Sequence, residues 1–359
     1  MIKLKRKTVF YFTLLFIFTS FSCELRKEKT QEKRIPVTVV EPRIITDTVK
    51  WDTDDPAIWI NSTDPSKSLI VGTDKHKDGA LYAFDLKGKI VNKSILLNRP
   101  NNVDVAYGFP YKDSLIDIAV VTERYEQRIR VFKLPELEPI DEGDLIVFDG
   151  NTERAPMGIA MYKRKKDNSF FMFVGGKSGP KEGYIGQYLL KSNNKNKIEL
   201  TPVREFGKYS GIREIEAIAV DDDLGYVYYS DEECGVRKYH ADPDKDDANR
   251  ELALFATEGF TRDHEGISIY KTTDKTGYIL VSDQQANKFW IFPREGTSEN
   301  PHQHEPAVKI IETSALVSDG NAITNVPLPG FPSGLFVAMS DDKTFQYYSW
   351  EDIAGEDLN

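Results

Sequence analysis

The chain has 359 residues and a formal net charge of −10, which excludes a surface built to hold a nucleic-acid backbone, since that requires a basic face. Hydrophobic residues make up 40% and aromatic residues 11%, enough for a large core and suited to sheets. The chain has only two cysteines, Cys23 and Cys234; if Cys23 is lipidated, no intrachain disulfide is possible and the fold rests on its core and any bound metal.

The first element is an address. Lys3, Lys5, Arg6 and Lys7 form a basic n-region, and residues 9–21 are an apolar run too short to span a bilayer comfortably. The run ends in Phe21-Ser22-Cys23, which reads as a lipoprotein cleavage site: residues 1–22 are removed and Cys23 becomes the lipidated first residue. Ser20 stands where an aliphatic residue is usual, so an ordinary signal peptide or anchor is the competing reading. Both imply export; the lipoprotein reading adds an anchor at the outer membrane or its periplasmic face, the chain's one contact with a membrane. Residues 23–36 are charged and nearly free of large apolar side chains, and read as a solvated tether.

Residues 37–359 carry a unit of about 50 residues repeated six times, the size of a propeller blade. Each unit shows short apolar runs bounded by Gly, Asp, Asn and Lys turns. The predicted strands are 57–60, 69–75, 81–84 and 94–97 in the first unit; 103–107, 118–124, 129–132 and 145–148 in the second; 158–162, 171–177, 184–188 and 203–206 in the third. They continue with 217–220, 227–232, 236–239 and 252–255 in the fourth, then 266–270, 279–283, 289–292 and 308–311 in the fifth. The sixth has only 322–326, 335–341 and 345–348. Residues 37–49, extended and β-branched, are predicted to supply its missing edge strand and close the ring, which protects the sheet edges. The expected fold is all-β: a six-bladed propeller of four-stranded antiparallel blades with almost no helix, working as a monomer.

That topology gathers on one face the residues just before each first strand and just after each second strand. Before the first strands stand Asp54 and Asp55, then Asn101, Asn102 and Asp104, then Glu214 and Glu216, then Asp263 and Glu265, then Asp319. After the second strands stand Lys75, His76 and Lys77, then Arg124, then Lys177, then Asp231, Glu232 and Glu233. Cations come from the first three blades and carboxylates from the last three. Carboxylates crowded in this way repel by about 4 kcal/mol per pair at 4 Å and an effective dielectric of 20, so a cation is expected among them. Hard oxygen ligands without a His or Cys cluster select Ca²⁺, several ions of it. Arg124 offers a bidentate grip on phosphate and the lysines act as point charges. Asp and Asn at turns also cap their own backbone, and single surface lysines are usually only solvated, so the case rests on convergence. Cys234 has no local His or Asn partner that would make it a nucleophile.

The motifs Asp54-Asp55-Pro56-Ala57-Ile58-Trp59, Asn101-Asn102-Val103-Asp104, Ile215-Glu216-Ala217, Asp263-His264-Glu265-Gly266 and Ser318-Asp319-Gly320, with residues 332–338, resemble successive motifs of the β-propeller phytases. The resemblance implies a calcium-dependent phytase that hydrolyses phosphate monoesters of inositol phosphates through a metal-activated water. It implies calcium at Asp54, Asp55, Glu216, Glu232, Asp263, Glu265 and Asp319. Substrate phosphate would be held by Lys75, His76, Lys77, Arg124 and Lys177, with Lys75, Arg124, Lys177 and Glu232 catalytic. The chain departs from the family pattern in three places. Ala155-Pro156-Met157-Gly158 replaces a segment with an acidic residue and a tyrosine, Ser178 replaces an acidic residue, and His76 replaces a frequent lysine. Competing classes are a non-catalytic propeller that binds a phosphorylated or acidic ligand at the membrane surface, and a calcium-dependent lactonase or esterase, because fold alone does not fix function.

Overall fold

Side chains alternate along a strand, so each blade presents two apolar faces, one to each neighbour. In the computed structural model, which describes residues 35–358, Ile70 joins a cluster shared with the last blade while its neighbour Val71 joins one shared with the second. Six such clusters fill the spaces between adjacent blades and make up the core. The predicted signal peptide, Cys23 and most of the tether lie outside the described residues.

The six sheets follow one another along the chain as a six-bladed β-propeller. Blade 1 comprises Thr53–Trp59, Leu69–Asp74, Ala80–Phe84 and Ile90–Lys93. Blade 2 has Pro100–Tyr111, Ser114–Glu123, Arg128–Lys133 and an edge split into Glu138–Pro139 and Leu145–Ile146. Blade 3 has Pro156–Lys163, Phe170–Gly176, Glu182–Ser192 and Ile198–Lys208. Blade 4 has Ile218–Asp221, Tyr226–Asp231, Gly235–His240 and Ala253–Phe255. Blade 5 has His264–Lys271, Gly277–Asp283, Lys288–Pro293 and Lys309–Thr313. Blade 6 has Asn321–Thr324, Leu335–Ser340 and Thr344–Ser349, followed by a short helix, Trp350–Ala354.

The expected closing strand is present with one refinement, and one edge strand is corrected. The segment 37–49 supplies the missing edge of blade 6 through its second half, while its first half pairs with blade 5. Val37–Val40 pairs in parallel with Lys309–Thr313 of blade 5, and only Ile44–Ile45 pairs with Thr344–Ser349 of blade 6. The chain therefore bridges two blades before the ring closes, and the apolar cluster between blades 6 and 1, with Val49 in it, completes the closure. In blade 1 the edge strand is Ile90–Lys93, earlier than 94–97, because the turn at Asp85 is tight. The Asp85 carboxylate accepts from Lys87 N–H and Lys89 N–H at 2.9 and 2.8 Å, returning the chain at once to Phe84. Ile95 and Leu96 are left exposed.

Closure is also steric. A Cβ at Gly72 would lie 2.2 Å from Cε2 of Phe345 across the blade 1–blade 6 junction. Phe345 is fully buried and cannot withdraw, so Gly72→Ala is expected to cost about 1–3 kcal/mol by overpacking, read as a lower melting temperature. An unchanged melting temperature would show that the junction can relax.

Candidate functional site

In every blade the residue that follows the second strand is tied back to the segment preceding the first. Lys75 N–H donates to Asp52 O, Arg124 N–H to Arg99 O, Lys177 N–H to Arg154 O, Glu232 N–H to Glu214 O, Gln284 N–H to Asp263 O and Asp341 N–H to Leu316 O. These six bonds bring the two groups of residues to one mouth of the ring. The inner strands enter it through matching register shifts, which place Asp54-Asp55, Asn101-Asn102, Met157-Gly158 and Glu265-Gly266 as the extra pair of residues. Bulges of this kind re-aim side chains out of the ladder. Hydroxyls opposite them latch one blade to the next: Thr122 Oγ1 donates to Met157 O, Ser230 Oγ to Glu265 O and Ser282 Oγ to Ser318 O.

At the centre, Asn101 Nδ2 donates to Asp54 Oδ2 at 3.0 Å and to Glu216 Oε1 at 2.5 Å, joining blades 1, 2 and 4. Lys75 Nζ is ion-paired with Asp54 and reaches Asp319 Oδ2 at 2.9 Å. The predicted division into a cationic half and an acidic half is therefore modified: Lys75 sits among the carboxylates rather than facing them. Burial works against its charge, but Asp54 and Asp319 outweigh it and hold the ammonium proton tightly. Asp55 accepts Val103 N–H at 3.0 Å, and burial with Asp104 and Glu216 nearby pushes its carboxyl well above the ordinary range. Asp54 is likewise pushed well up, chiefly by burial.

Glu214, Glu216 and Glu232 offer oxygens that all lie within 4.8 Å of one another. Burial and the neighbouring carboxylates raise Glu216 to about 7 and Glu232 to about 9, and Glu265 well above its usual value. Five buried oxygens around this mouth accept no hydrogen bond: Asn101 Oδ1, Asn102 Oδ1, Glu232 Oε1, Asp263 Oδ1 and Glu265 Oε2. Buried acceptors without donors are costly, and an all-oxygen set without thiolate or imidazole suits a hard divalent cation such as Ca²⁺. The residues fit that ion.

The raised values fix a sign. Without metal, folded Glu216 and Glu232 keep protons that the unfolded chain has already released, so stability falls as pH rises from about 4.5 through about 9. In chelator the melting temperature is expected to drop by roughly 5 °C between pH 5 and pH 8. Saturating calcium, which displaces those protons, is expected to flatten the dependence; equal slopes with and without calcium would count against metal at these carboxylates.

The remaining predicted residues divide. Lys177 is ion-paired with Glu214. Arg124, in a short turn with Glu126, and the exposed Lys77 have no ion pair among the described residues. His76 stacks on Trp51 with centroids 4.2 Å apart, and its Nδ1 accepts Asp78 N–H at 3.1 Å, which places the proton of the neutral ring on Nε2. Asp263 Oδ2 accepts from Gln285 at 2.7 Å and Asp319 Oδ1 from Gln284 at 2.5 Å. Two residues of the predicted ring are consumed elsewhere. Asp231 is held by Ser210 and Arg237, and Asp104 caps Val105 N–H and Met161 N–H. Met157 occupies the blade 3 bulge, 2% exposed, the one apolar side chain among the bulge positions that lead the ring. Ser178 Oγ donates to Glu153 O.

Sequence reasoning placed Glu214 at the mouth but not among the ligands, although Glu-x-Glu at a strand entry puts both carboxylates on one side. It missed Arg99, whose positive φ of 62° sets it between the His76 and Arg124 turns. Its Nε is buried without a hydrogen bond and its guanidinium packs on Tyr125. Arg213 and Arg262, on the acidic side, were also missed.

Fold and site together define a β-propeller with one mixed-charge mouth, carboxylates crowded against lysine and arginine. The family model described as Phytase matches residues 7–354, and the chain belongs to the phytase family. A 3-phytase of Bacillus subtilis (strain 168) is 30% identical over 319 residues, spanning 84% of this chain and 80% of that protein. Membership makes the chain a phosphoric monoester hydrolase. Among solved structures, BBS1N in complex with ARL6DN is 11% identical with a TM-score of 0.45 over 81% of this chain and 77% of that one. The RRP9 WD40 repeats are 9% identical with a TM-score of 0.48 over 82% and 79%. At such scores neither bears on function.

Proposed function

We propose that the protein is a calcium-dependent phytase acting on myo-inositol hexakisphosphate. The observation that carries the calcium assignment is the set of buried, donor-less oxygens on Asn101, Glu232, Asp263 and Glu265 at one mouth, with Lys75, Arg124 and Lys177 beside them. Glu214, Glu216 and Glu232 would hold one ion, and Asp263, Glu265, Asp54, Asp55 and Asp319 would hold others. When bound, calcium neutralises these carboxylates and activates water for attack on phosphorus.

The chain's own residues do the rest. Arg124, with no ion pair among the described residues, binds phosphate oxygens through two N–H groups. Lys177, ion-paired with Glu214, would be available to the phosphate if that carboxylate held a cation, and Lys75 adds positive charge from the centre. Phosphoryl transfer depends on such positioning and neutralisation. Asn101 keeps Asp54 and Glu216 in register across the mouth.

Every residue in this scheme belongs to one chain, and one chain closes the ring, so the working unit is read as a monomer. Export with a lipid on Cys23 is part of the same proposal, and lipid labelling lost in Cys23→Ser checks it. Activity is tested on the chain from Glu24 onward, with phosphate release from myo-inositol hexakisphosphate measured in calcium. Release supports the reading. Its absence from a folded, calcium-loaded protein would leave the non-catalytic binding propeller.

A further inference from the structure

The net charge of −10 is unevenly spread. Residues 86–99 hold four cations, Lys87, Lys89, Lys93 and Arg99, and no carboxylate. They form the outer edge of blade 1, from the turn at Asp85 up to the mouth. Ile90–Lys93 is the edge strand, and residues 94–97 carry it on to the bridge between Leu97 and Gly79. Ile90, Val91, Ile95 and Leu96 are 37% to 64% exposed along this edge. At its mouth end Tyr125 N–H donates to Asn98 O at 3.3 Å. The Arg99 guanidinium packs on the exposed Tyr125 ring. The outer strands of blades 2, 3 and 4 expose one large aliphatic side chain each, Ile146, Val203 and Leu254.

The carboxylates that face this edge are already engaged. Asp47 pairs with Lys89 at 2.7 Å, Glu126 accepts Asn98 Nδ2 at 2.7 Å, and Asp85 is spent on backbone N–H groups. Glu136, on the blade 2 turn that Asn92 Nδ2 grips, pairs with Lys133 at 3.3 Å. Lys87 and Lys93 have no ion pair among the described residues. Lysines on an edge strand also guard it against pairing with another sheet, but a guard needs no exposed isoleucine, valine and leucine between the cations. Apolar side chains interleaved with cations suit the boundary between acyl chains and anionic headgroups. The exposed apolar edge at Val37–Val40 differs in charge: Val39 is paired with Glu312, and Glu41 follows.

We propose that the outer edge of blade 1 is a membrane-docking surface for a leaflet bearing anionic phospholipid. This contact is additional to the lipid expected on Cys23 and depends neither on it nor on the phytase reading. Ile95 and Leu96 enter the headgroup boundary, Lys87, Lys89 and Lys93 lie against the anionic surface, and docking sets the mouth alongside it.

The test is sedimentation of the calcium-loaded chain from Glu24 onward, which lacks Cys23, with vesicles. One set holds equal parts of phosphatidylcholine and phosphatidylglycerol, the other phosphatidylcholine alone. Binding to the anionic vesicles is expected to be about tenfold tighter than to the neutral ones. Ile95→Gln/Leu96→Gln and, separately, Lys87→Gln/Lys93→Gln are each expected to weaken it about tenfold, with the melting temperature unchanged. The lysine pair keeps the surface testable should the apolar pair fail to fold. Equal binding to the two vesicle types, or variants that bind as the parent does, would overturn the surface and leave the lysines as guards of the edge strand. Binding that added myo-inositol hexakisphosphate abolishes would place the contact in the mouth and refute the edge. Self-association of the parent without vesicle binding would refute it in favour of a second copy of the chain.

Discussion

Glu232→Gln is expected to lower phosphate release by about a hundredfold or more while raising the melting temperature of the metal-free protein by roughly 2–5 °C. The two effects have one cause. Glu232 is buried, its Oε1 has no hydrogen-bond partner, and burial together with Glu214, Glu216 and Asp263 drives its carboxyl up to about 9. Glutamine has nearly the same shape as the protonated acid and carries no charge, so the chain no longer holds a repelled carboxylate at neutral pH. It is also a far poorer ligand for a hard cation. A functional site that destabilises its own fold is a common trade-off. Activity is read as phosphate release and stability as thermal melting in chelator. A variant that loses stability along with activity would assign Glu232 a packing role, and one that keeps full activity would remove it from the site.

Removing calcium is expected to act on fold and activity together. A cation that binds only the folded state adds about 4 kcal/mol at a free concentration a thousand times its Kd. Excess chelator is therefore expected to lower the melting temperature by about 10 °C and phosphate release by a hundredfold or more. Restored calcium should recover both, whereas magnesium should recover less, because it demands a tighter octahedral shell than this wide ring supplies. Melting and release that ignore the chelator would overturn the calcium assignment.

Much of this was readable along the chain because propeller blades are local. Each strand pairs with its sequence neighbour, so alternation and turn residues mark nearly all strands directly, as in Val227 to Ser230 or Ile279 to Ser282. The mouth was readable for the same reason, since the topology of an antiparallel blade dictates that Asp54, Glu216 and Asp319 share a face with Lys75, Arg124 and Lys177. The edge strands were harder. Residues 94–97 are more apolar than 90–93, yet the Asp85 turn starts the ladder at Ile90, and 94–97 only continue it loosely, through Ser94 N–H to Leu81 O and a bridge from Leu97 to Gly79. The segment 37–49 is divided between two blades by partners that follow it by some 300 residues in the chain.

The sequence by itself determined the repeat, the blade count, the face that carries the chemistry and the residue types gathered there, because all of these follow from local pairing and alternation. Only the tertiary structure decided which charges meet. Lys75 lies between Asp54 and Asp319, Lys177 lies on Glu214, and Glu233 draws Arg213 and Arg262 together. Such pairings join residues from different blades or different loops. Their energies depend on distances of a few ångströms and on how much water remains, and neither quantity is set until the ring has closed.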